Sequence, residues 1–118
     1  MKRSQPRFAL ALLAAVTSAA HAENPPPSAA PAGQAVFEHW CAPCHAPGPG
    51  HPGTQSLQVK YGGKISPALL ERTDLSAQIV ATFVRHGVLS MPPFRKTEIT
   101  DAELAALAAY VSHNFKGS

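Results

Sequence analysis

The segment Cys41-Ala42-Pro43-Cys44-His45 decides how this chain is expected to fold. It places two thiols three residues apart, with an imidazole directly after the second. On a helical turn, residues three and four apart lie on the same face. The two thiols can therefore add to the two vinyl groups on one edge of a haem, and His45 can present a ring nitrogen to the iron. This spacing is the attachment signature of c-type haem, and it predicts one covalently bound haem c per chain.

Two other interpretations of the cysteine pair are open. The pair can form a redox disulfide in a haem-free thiol–disulfide module, but that function favours a strand–helix–strand setting that the sequence does not show. It can also be half of a zinc site, but structural zinc takes four protein ligands and the chain has only two cysteines. The sequence therefore favours haem.

The first 22 residues are typical of a secretory signal peptide. Three basic residues precede an uncharged run over residues 8–20, and Ala20-His21-Ala22 then matches the A-x-A cleavage pattern. We therefore expect residues 1–22 to be removed on export, which leaves a periplasmic protein. The uncharged run is too short to cross a bilayer, so the mature chain is not expected to span a membrane.

The rest of the chain divides into a tether and one domain. Residues 23–32 contain four prolines and are predicted to form an extended tether, followed by one haem-binding domain over residues 33–118. Three of the ten Lys and Arg residues lie in the signal peptide, so seven remain against seven Asp and Glu. A neutral mature chain argues against nucleic acid as a partner, because that interaction needs a basic surface.

Apolar periodicity predicts an all-α domain with three main helices and long loops. The first helix is expected over roughly residues 33–43. The second begins at the N-cap Ser76 and ends at Gly87. The third begins with the capping box Thr100-Asp101-Ala102-Glu103 and runs to about Asn114.

The connecting segments are rich in proline and glycine. The first helix is expected to be interrupted near Pro43, and residues 46–53 are expected to be neither helix nor central strand. Residues 57–65 are predicted to hold at most one short helical turn, ended by Gly62-Gly63. Ser66-Pro67 is expected to open a further short turn.

The sixth position of the iron decides what the haem does. Axial Met with His raises the reduction potential and closes the iron to other ligands, which suits electron transfer. The predicted mature chain has one methionine, Met91, in Leu89-Ser90-Met91-Pro92-Pro93-Phe94. A methionine usually fills a gap in a core, but two prolines directly after this one would hold its thioether in place. His45 and Met91 are therefore the predicted axial ligands.

Four histidines are alternative ligands. His51 lies in the loop rich in Gly and Pro, and His86 lies in the last turn of a helix, where a cation is favourable. His113 lies near the end of the last helix, and His39 points away from the thiols. Each is a poorer candidate than the methionine. Without a methionine ligand, an open iron would indicate a haem enzyme or a gas sensor.

With these residues assigned, the sequence resembles the class I c-type cytochromes over most of residues 33–113. The resemblance lies in Gly33-x-x-x-Phe37-x-x-x-Cys41-x-x-Cys44-His45 and in Leu107-Ala108-Ala109-Tyr110-Val111. It implies the class I cytochrome c fold around one haem, with the first and last helices crossing. It also implies that Pro67 faces the haem and accepts the N–H of His45, which would orient that ligand.

A narrower resemblance involves residues 67–94. Pro67-Ala68-Leu69-Leu70, Val84-Arg85-His86-Gly87 and Met91-Pro92-x-Phe94 are similar to the cytochrome subunits of 4-cresol dehydrogenase-type flavocytochromes. This implies a dehydrogenase as the redox partner, with the chain either its subunit or a free carrier. The segment 51–64 looks longer than in those subunits.

The expected function is one-electron transfer, with no catalytic residues. The chain would take electrons from a flavoprotein or quinoprotein dehydrogenase and pass them to a downstream acceptor. Four cations, Lys60, Lys64, Arg95 and Lys96, are candidates for a basic rim that attracts an acidic partner. Ordinary solvated charge is an equally supported interpretation of these residues.

Overall fold

The computed structural model describes residues 29–117 and confirms the all-α prediction. The first helical run comprises α1 (Ala29–Val36), a π-helical segment (Phe37–Cys41) and α2 (Ala42–His45). It is followed by α3 (Pro52–Tyr61), a 3₁₀ turn (Leu69–Glu71), α4 (Ala77–His86) and α5 (Asp101–Val111). The described residues contain no strand, only an isolated bridge between Val88 and Met91. The predicted signal peptide, and the tether up to residue 28, lie outside this part of the chain.

Helices α4 and α5 begin at the capping residues that the sequence predicted. The Ser76 hydroxyl accepts a hydrogen bond from the N–H of Ile79 at 3.2 Å. Thr100 and Glu103 form a complete capping box, with both reciprocal bonds present. Helix α4 ends at Gly87, which has a φ of 68°, whereas α5 ends at Val111, before the predicted position. Each cap satisfies backbone N–H groups that would otherwise lack a partner.

Helices α1 and α5 cross in close contact, and a glycine makes that contact possible. A Cβ at Gly33 would lie 2.6 Å from the Cβ of Tyr110 and would overlap the backbone of Ala106. The rings of Phe37 and Tyr110 pack with their centres 5.8 Å apart. The helix crossing implied by the resemblance is therefore present.

The hydrophobic core lies between α1, α4 and α5. Ile99 and Leu107 are its most deeply buried members, and Val84 and Val111 pack beside them. Burying an aliphatic side chain of this size contributes about 1.5–3 kcal/mol to folding. Helices α4 and α5 also form part of the wall of the cavity described below.

Helix α3 corrects the prediction for residues 46–65. Pro52 and Gly53 are helical, and α3 has 10 residues instead of one short turn. Proline is compatible with the first turn of a helix, where its missing N–H is not needed. Only Thr54 is buried in this helix, so it has no apolar stripe to predict it. Its end at Gly62, with a φ of 57°, is as predicted.

Three other boundaries differ from the predictions. Residues 29–32 belong to α1 and are not extended tether. Pro43 does not interrupt the first helix, because it lies in the first turn of α2, after the π-helical segment. The turn expected directly at Ser66-Pro67 forms at Leu69–Glu71. Among the described helices, none has both the length and the apolar composition needed to cross a membrane.

Candidate functional site

A cavity beside α4 and α5 brings the predicted cofactor residues together. Cys41, His45 and Met91 all line it, although they come from distant parts of the sequence. The cavity holds ≈ 770 Å³ of empty space, including space open to solvent. The rest of its wall is mainly apolar and includes Leu75, Val80, Phe83, Val84, Leu107 and Val111. An apolar wall with a few convergent polar groups is typical of a cofactor site.

Cys41 is positioned by the π-helical turn that precedes α2. The N–H of Ala42 donates to the carbonyl of Phe37, five residues earlier. Such wider turns are rare in helices and occur often at functional sites. Cys41 is half-buried on the cavity wall, whereas Cys44 is exposed and is not among the residues that line the cavity.

Burial controls the protonation of Cys41 and His45. Desolvation, with a smaller contribution from Cys44, raises the pKa of the Cys41 thiol to about 11, so the thiol is neutral at pH 7. Desolvation also lowers the pKa of His45 below its usual value. The neutral imidazole favoured in this way is the form that binds a metal.

The His45 ring has no hydrogen-bond partner among the described residues. Its Nδ1 is buried and unpartnered. Leaving a buried polar atom in this state costs about 1–3 kcal/mol, so such atoms usually have a role. No described group competes for the ring nitrogens, and the place of His45 on the cavity wall fits a haem ligand.

The ring of His45 packs against α3. A Cβ at Gly53 would lie 2.6 Å from Cε1 of His45 and 2.9 Å from its Nδ1, so this contact requires a glycine. Pro67 is half-buried and lines a separate depression with Thr54 and Gln58. The implied hydrogen bond from His45 to the Pro67 carbonyl is not formed in the described structure.

Met91 follows a tight turn after α4. The backbones of Val88 and Met91 exchange two hydrogen bonds of 3.0 and 2.9 Å. Leu89, between them, has a φ of 52° and is 95% exposed. A Cβ at Gly87 would lie 2.5 Å from the carbonyl oxygen of Met91, so the turn can close only on a glycine. It places Met91 on the cavity wall and leaves Leu89 in solvent.

The four alternative histidines do not line the cavity in the described structure. His51 and His113 instead have Nδ1 atoms 3.1 and 2.8 Å from backbone carbonyl oxygens. His39 packs edge-on against the neighbouring tryptophan, and His86 is exposed. Of the sequence-based candidates for the sixth ligand, only Met91 shares the cavity with the predicted proximal histidine.

The cavity wall contains a buried arginine that was not predicted from the sequence. Arg72 is 6% exposed and is the one buried charged side chain among the described residues. Its Nε donates to Asp74 at 2.8 Å, and its guanidinium lies 4.8 Å from the centre of the Tyr61 ring. A buried guanidinium can bind the carboxylates that a haem carries. In the sequence, the only indication of a role for Arg72 is Asp74 two positions later, and such pairs of opposite charge are also common on protein surfaces.

The four cations of the predicted basic rim are not equivalent. Arg95 and Lys96 pair with nearby carboxylates at 3.5 and 2.7 Å. Lys60 and Lys64 have no ion pair among residues 29–117, and Lys60 lies on the cavity wall. Positive charge that is not neutralised is therefore found on the α3 side of the cavity.

A helical fold that places a Cys-x-x-Cys-His segment and a methionine around one apolar cavity has the design of a c-type cytochrome domain. Residues 28–111 match the family model described as cytochrome c oxidase, cbb3-type, subunit III, and the chain belongs to this family. A search of curated proteins found no match.

Membership of this family confirms the class I cytochrome c fold and a covalently bound haem c with its iron. The chain is a haem-based electron carrier, and electron transfer rather than catalysis is its activity. The comparisons do not support the narrower resemblance to the cytochrome subunits of 4-cresol dehydrogenase-type flavocytochromes.

Proposed function

We propose that the chain is a periplasmic electron carrier in which Cys41 and Cys44 attach the haem and His45 and Met91 bind its iron. The observation that supports this most is the single cavity shared by Cys41, His45 and Met91. The signal sequence at residues 1–22 supports the periplasmic location. The role of Pro67 as a support for His45 stays a prediction.

The residues around the cavity serve electron transfer by keeping the site dry and fixed. When bound, the haem supplies a one-electron couple at its iron. The neutral His45 imidazole binds the metal without a proton to release, and the thioether of Met91 favours the reduced state. Leu107 and Val111 exclude water from the wall. Few groups then need to reorganise when the charge changes.

We propose a flavoprotein or quinoprotein dehydrogenase as the electron donor. Lys60 and Lys64, which have no ion pair in the described part of the chain, would attract an acidic surface to the cavity. The family description names a cytochrome oxidase subunit, which supports a cytochrome oxidase as the kind of downstream acceptor.

A redox titration of the exported holoprotein, with a peroxide assay, tests electron transfer against an open-site enzyme. We expect a mass increase of one haem, a one-electron Nernst curve and no turnover of hydrogen peroxide. Peroxide turnover by the wild-type protein would contradict the proposal. Cys41→Ser should leave one thioether and shift the pyridine haemochrome band, and an unchanged band would contradict the attachment role.

The rate of oxidation by a small anion tests whether Lys60 and Lys64 attract a negatively charged partner. Ferricyanide, a small anion, should oxidise the reduced Lys60→Gln/Lys64→Gln protein severalfold more slowly than wild type at low salt. Arg95→Gln/Lys96→Gln, which also removes two cations but ones that are paired with carboxylates, is the matched control. Equal rates for the two variants would show that Lys60 and Lys64 do not steer the partner.

A further inference from the structure

The side chain of Arg85 joins three parts of the molecule. It lies in the last turn of α4 and is only 18% exposed. Its Nη1 donates to the carbonyl oxygen of Phe94 at 3.1 Å, and its Nη2 donates to Oδ1 of Asp101 at 2.9 Å. One guanidinium therefore connects α4, the segment after Met91 and the start of α5.

Phe94 is the first residue after Met91 that can be anchored through its N–H. Pro92 and Pro93 lie between them and have no N–H to donate. The N–H of Phe94 donates to the Val84 carbonyl at 2.8 Å, while its carbonyl accepts from Arg85. Both polar groups of its backbone are thus bound to the end of α4.

Because of the two prolines, the position of Phe94 also constrains the position of Met91. Each proline fixes its own φ, so Met91-Pro92-Pro93-Phe94 has few free torsions. The other end of the segment is held by the paired backbones of Val88 and Met91. A shift of Phe94 must therefore move Met91.

Phe94 also contacts the helix that carries the cysteines. Its ring packs edge-on against Trp40, with the ring centres 5.7 Å apart. Trp40 directly precedes Cys41, so the position of Phe94 relates the methionine side of the cavity to the cysteine side.

We propose that Arg85 is a positioning residue for the sixth iron ligand. By tying the Phe94 carbonyl to the Asp101 carboxylate, it holds the Met91 segment closed over the cavity and lowers the fraction of molecules in which the iron is open. This inference rests on the proposed function, in which Met91 binds the iron. Hydrogen bonds with a charged partner, such as these two, are among the stronger ones in proteins.

Imidazole titration of the oxidised holoprotein measures how often Met91 leaves the iron. An external ligand binds only the open form, so its apparent dissociation constant falls as the open fraction rises. Loss of a charge-assisted bond worth about 1.4 kcal/mol corresponds to a tenfold change. We therefore expect Arg85→Gln to bind imidazole about tenfold more tightly than wild type, and Arg85→Lys to recover part of the difference.

Two further variants separate positioning from general stability. Asp101→Asn should also tighten imidazole binding. The double variant Arg85→Gln/Asp101→Asn should bind imidazole only slightly more tightly than Arg85→Gln alone, because both substitutions remove the same Arg85–Asp101 contact. Lys96→Gln is the matched control, because Lys96 binds the other oxygen of Asp101 at 2.7 Å without contacting Phe94. Its imidazole affinity should stay within twofold of wild type. Asp101→Asn keeps the test available if Arg85→Gln does not fold.

The outcomes distinguish this inference from the proposed function. A wild-type protein without the red-edge sulfur-to-iron band would overturn both. If wild type shows the band, and Arg85→Gln and Asp101→Asn bind imidazole as wild type does, the inference alone fails. It also fails if Lys96→Gln has the same effect as Arg85→Gln, since the effect would then come from surface charge.

Discussion

The two sides of the cavity are built by different means. Cys41, Cys44 and His45 lie within five residues, in one helical run that reaches from α1 to the end of α2. Met91 lies between α4 and α5, in a segment without a helix, where Phe94 donates to the Val84 carbonyl and accepts from Arg85. Spacing along the chain therefore defines the first side, and tertiary contacts define the second.

This difference predicts how each side responds to mutation. The helical side, which carries Cys41, Cys44 and His45, would keep the haem through two covalent thioether bonds even where its packing is disturbed. In the proposed ligation, the loop side, which carries Met91, has one ligand that can leave, so changes there should alter the reduction potential and the access of other ligands to the iron. The following substitutions test that contrast, in order of decreasing expected effect.

Met91→Ala should have the largest effect. Loss of the axial thioether should lower the reduction potential by on the order of 0.1–0.3 V, within the range of about 0.8 V that axial ligands cover. Leu89→Ala is the control, because Leu89 belongs to the same turn and is 95% exposed. Potentiometric titration measures both variants. Equal reduction potentials for Met91→Ala and Leu89→Ala would contradict the proposed difference between the two sides of the cavity.

Gly33→Ala should destabilise the scaffold of the helical side. The added Cβ would meet Tyr110 at 2.6 Å and overlap the backbone of Ala106, so α1 and α5 must separate. We expect a loss of about 2–3 kcal/mol in the free energy of unfolding, measured by denaturant titration of the holoprotein. Gln34→Ala, at the neighbouring exposed position, should cost less than about 0.5 kcal/mol. A similar loss in both variants would contradict the close helix crossing.

Gly53→Ala should disturb His45 without releasing the haem. Its Cβ would lie 2.6 Å from the His45 ring, so either α3 or the ring must shift. We expect a loss of about 1–2 kcal/mol in the free energy of unfolding. The change in reduction potential should be smaller than that of Met91→Ala. Gln55→Ala, exposed on the same helix, is the control. Loss of attached haem in Gly53→Ala alone would show that the helical side is less robust than proposed.

Asp74→Asn should have the smallest effect, a loss of stability near neutral pH that disappears in acid. The hydrogen bond from Arg72 lowers the pKa of the Asp74 carboxyl below 3.8. Its contribution to stability is therefore present above the unfolded pKa and is lost as the pH falls through the lower folded-state pKa. Because Asp74 is 45% exposed, we expect its pairing with Arg72 to contribute less than about 1 kcal/mol to the free energy of unfolding.

Unfolding free energies at pH 5 and pH 3 measure this contribution. Asp74→Asn should lose less stability than wild type over that interval. Glu38→Gln removes an exposed carboxylate that has no ion pair in the described structure, and it is the control. An acid response of Asp74→Asn equal to that of wild type would refute the role of the Arg72 bond.

The features that the sequence predicted are those with a local cause. The caps at Ser76 and Thr100 follow from side chains that reach their own backbone three residues later. The crossing of α1 and α5 at Gly33 and Tyr110 has no such local cause, and it was expected only from the resemblance to the class I c-type cytochromes. Met91 was identified because two prolines follow it.

The features that were missed depend on contacts between distant residues. Helix α3 has a single buried side chain, Thr54, so no pattern along the chain indicates it. The π-helical turn before α2 leaves no periodicity of its own over five residues. Gly53 and Arg72 acquire their places only when α3 and the cavity wall have formed. These residues can be assigned only from the structure.

An optical spectrum of the exported protein, oxidised and reduced, with and without carbon monoxide, tests the central claim most directly. The account predicts sharp reduced bands, a sulfur-to-iron charge-transfer band at the red edge of the oxidised spectrum, and no response to carbon monoxide. A reduced protein that binds carbon monoxide readily would show that Met91 does not close the iron, and it would contradict the proposed His45 and Met91 ligation.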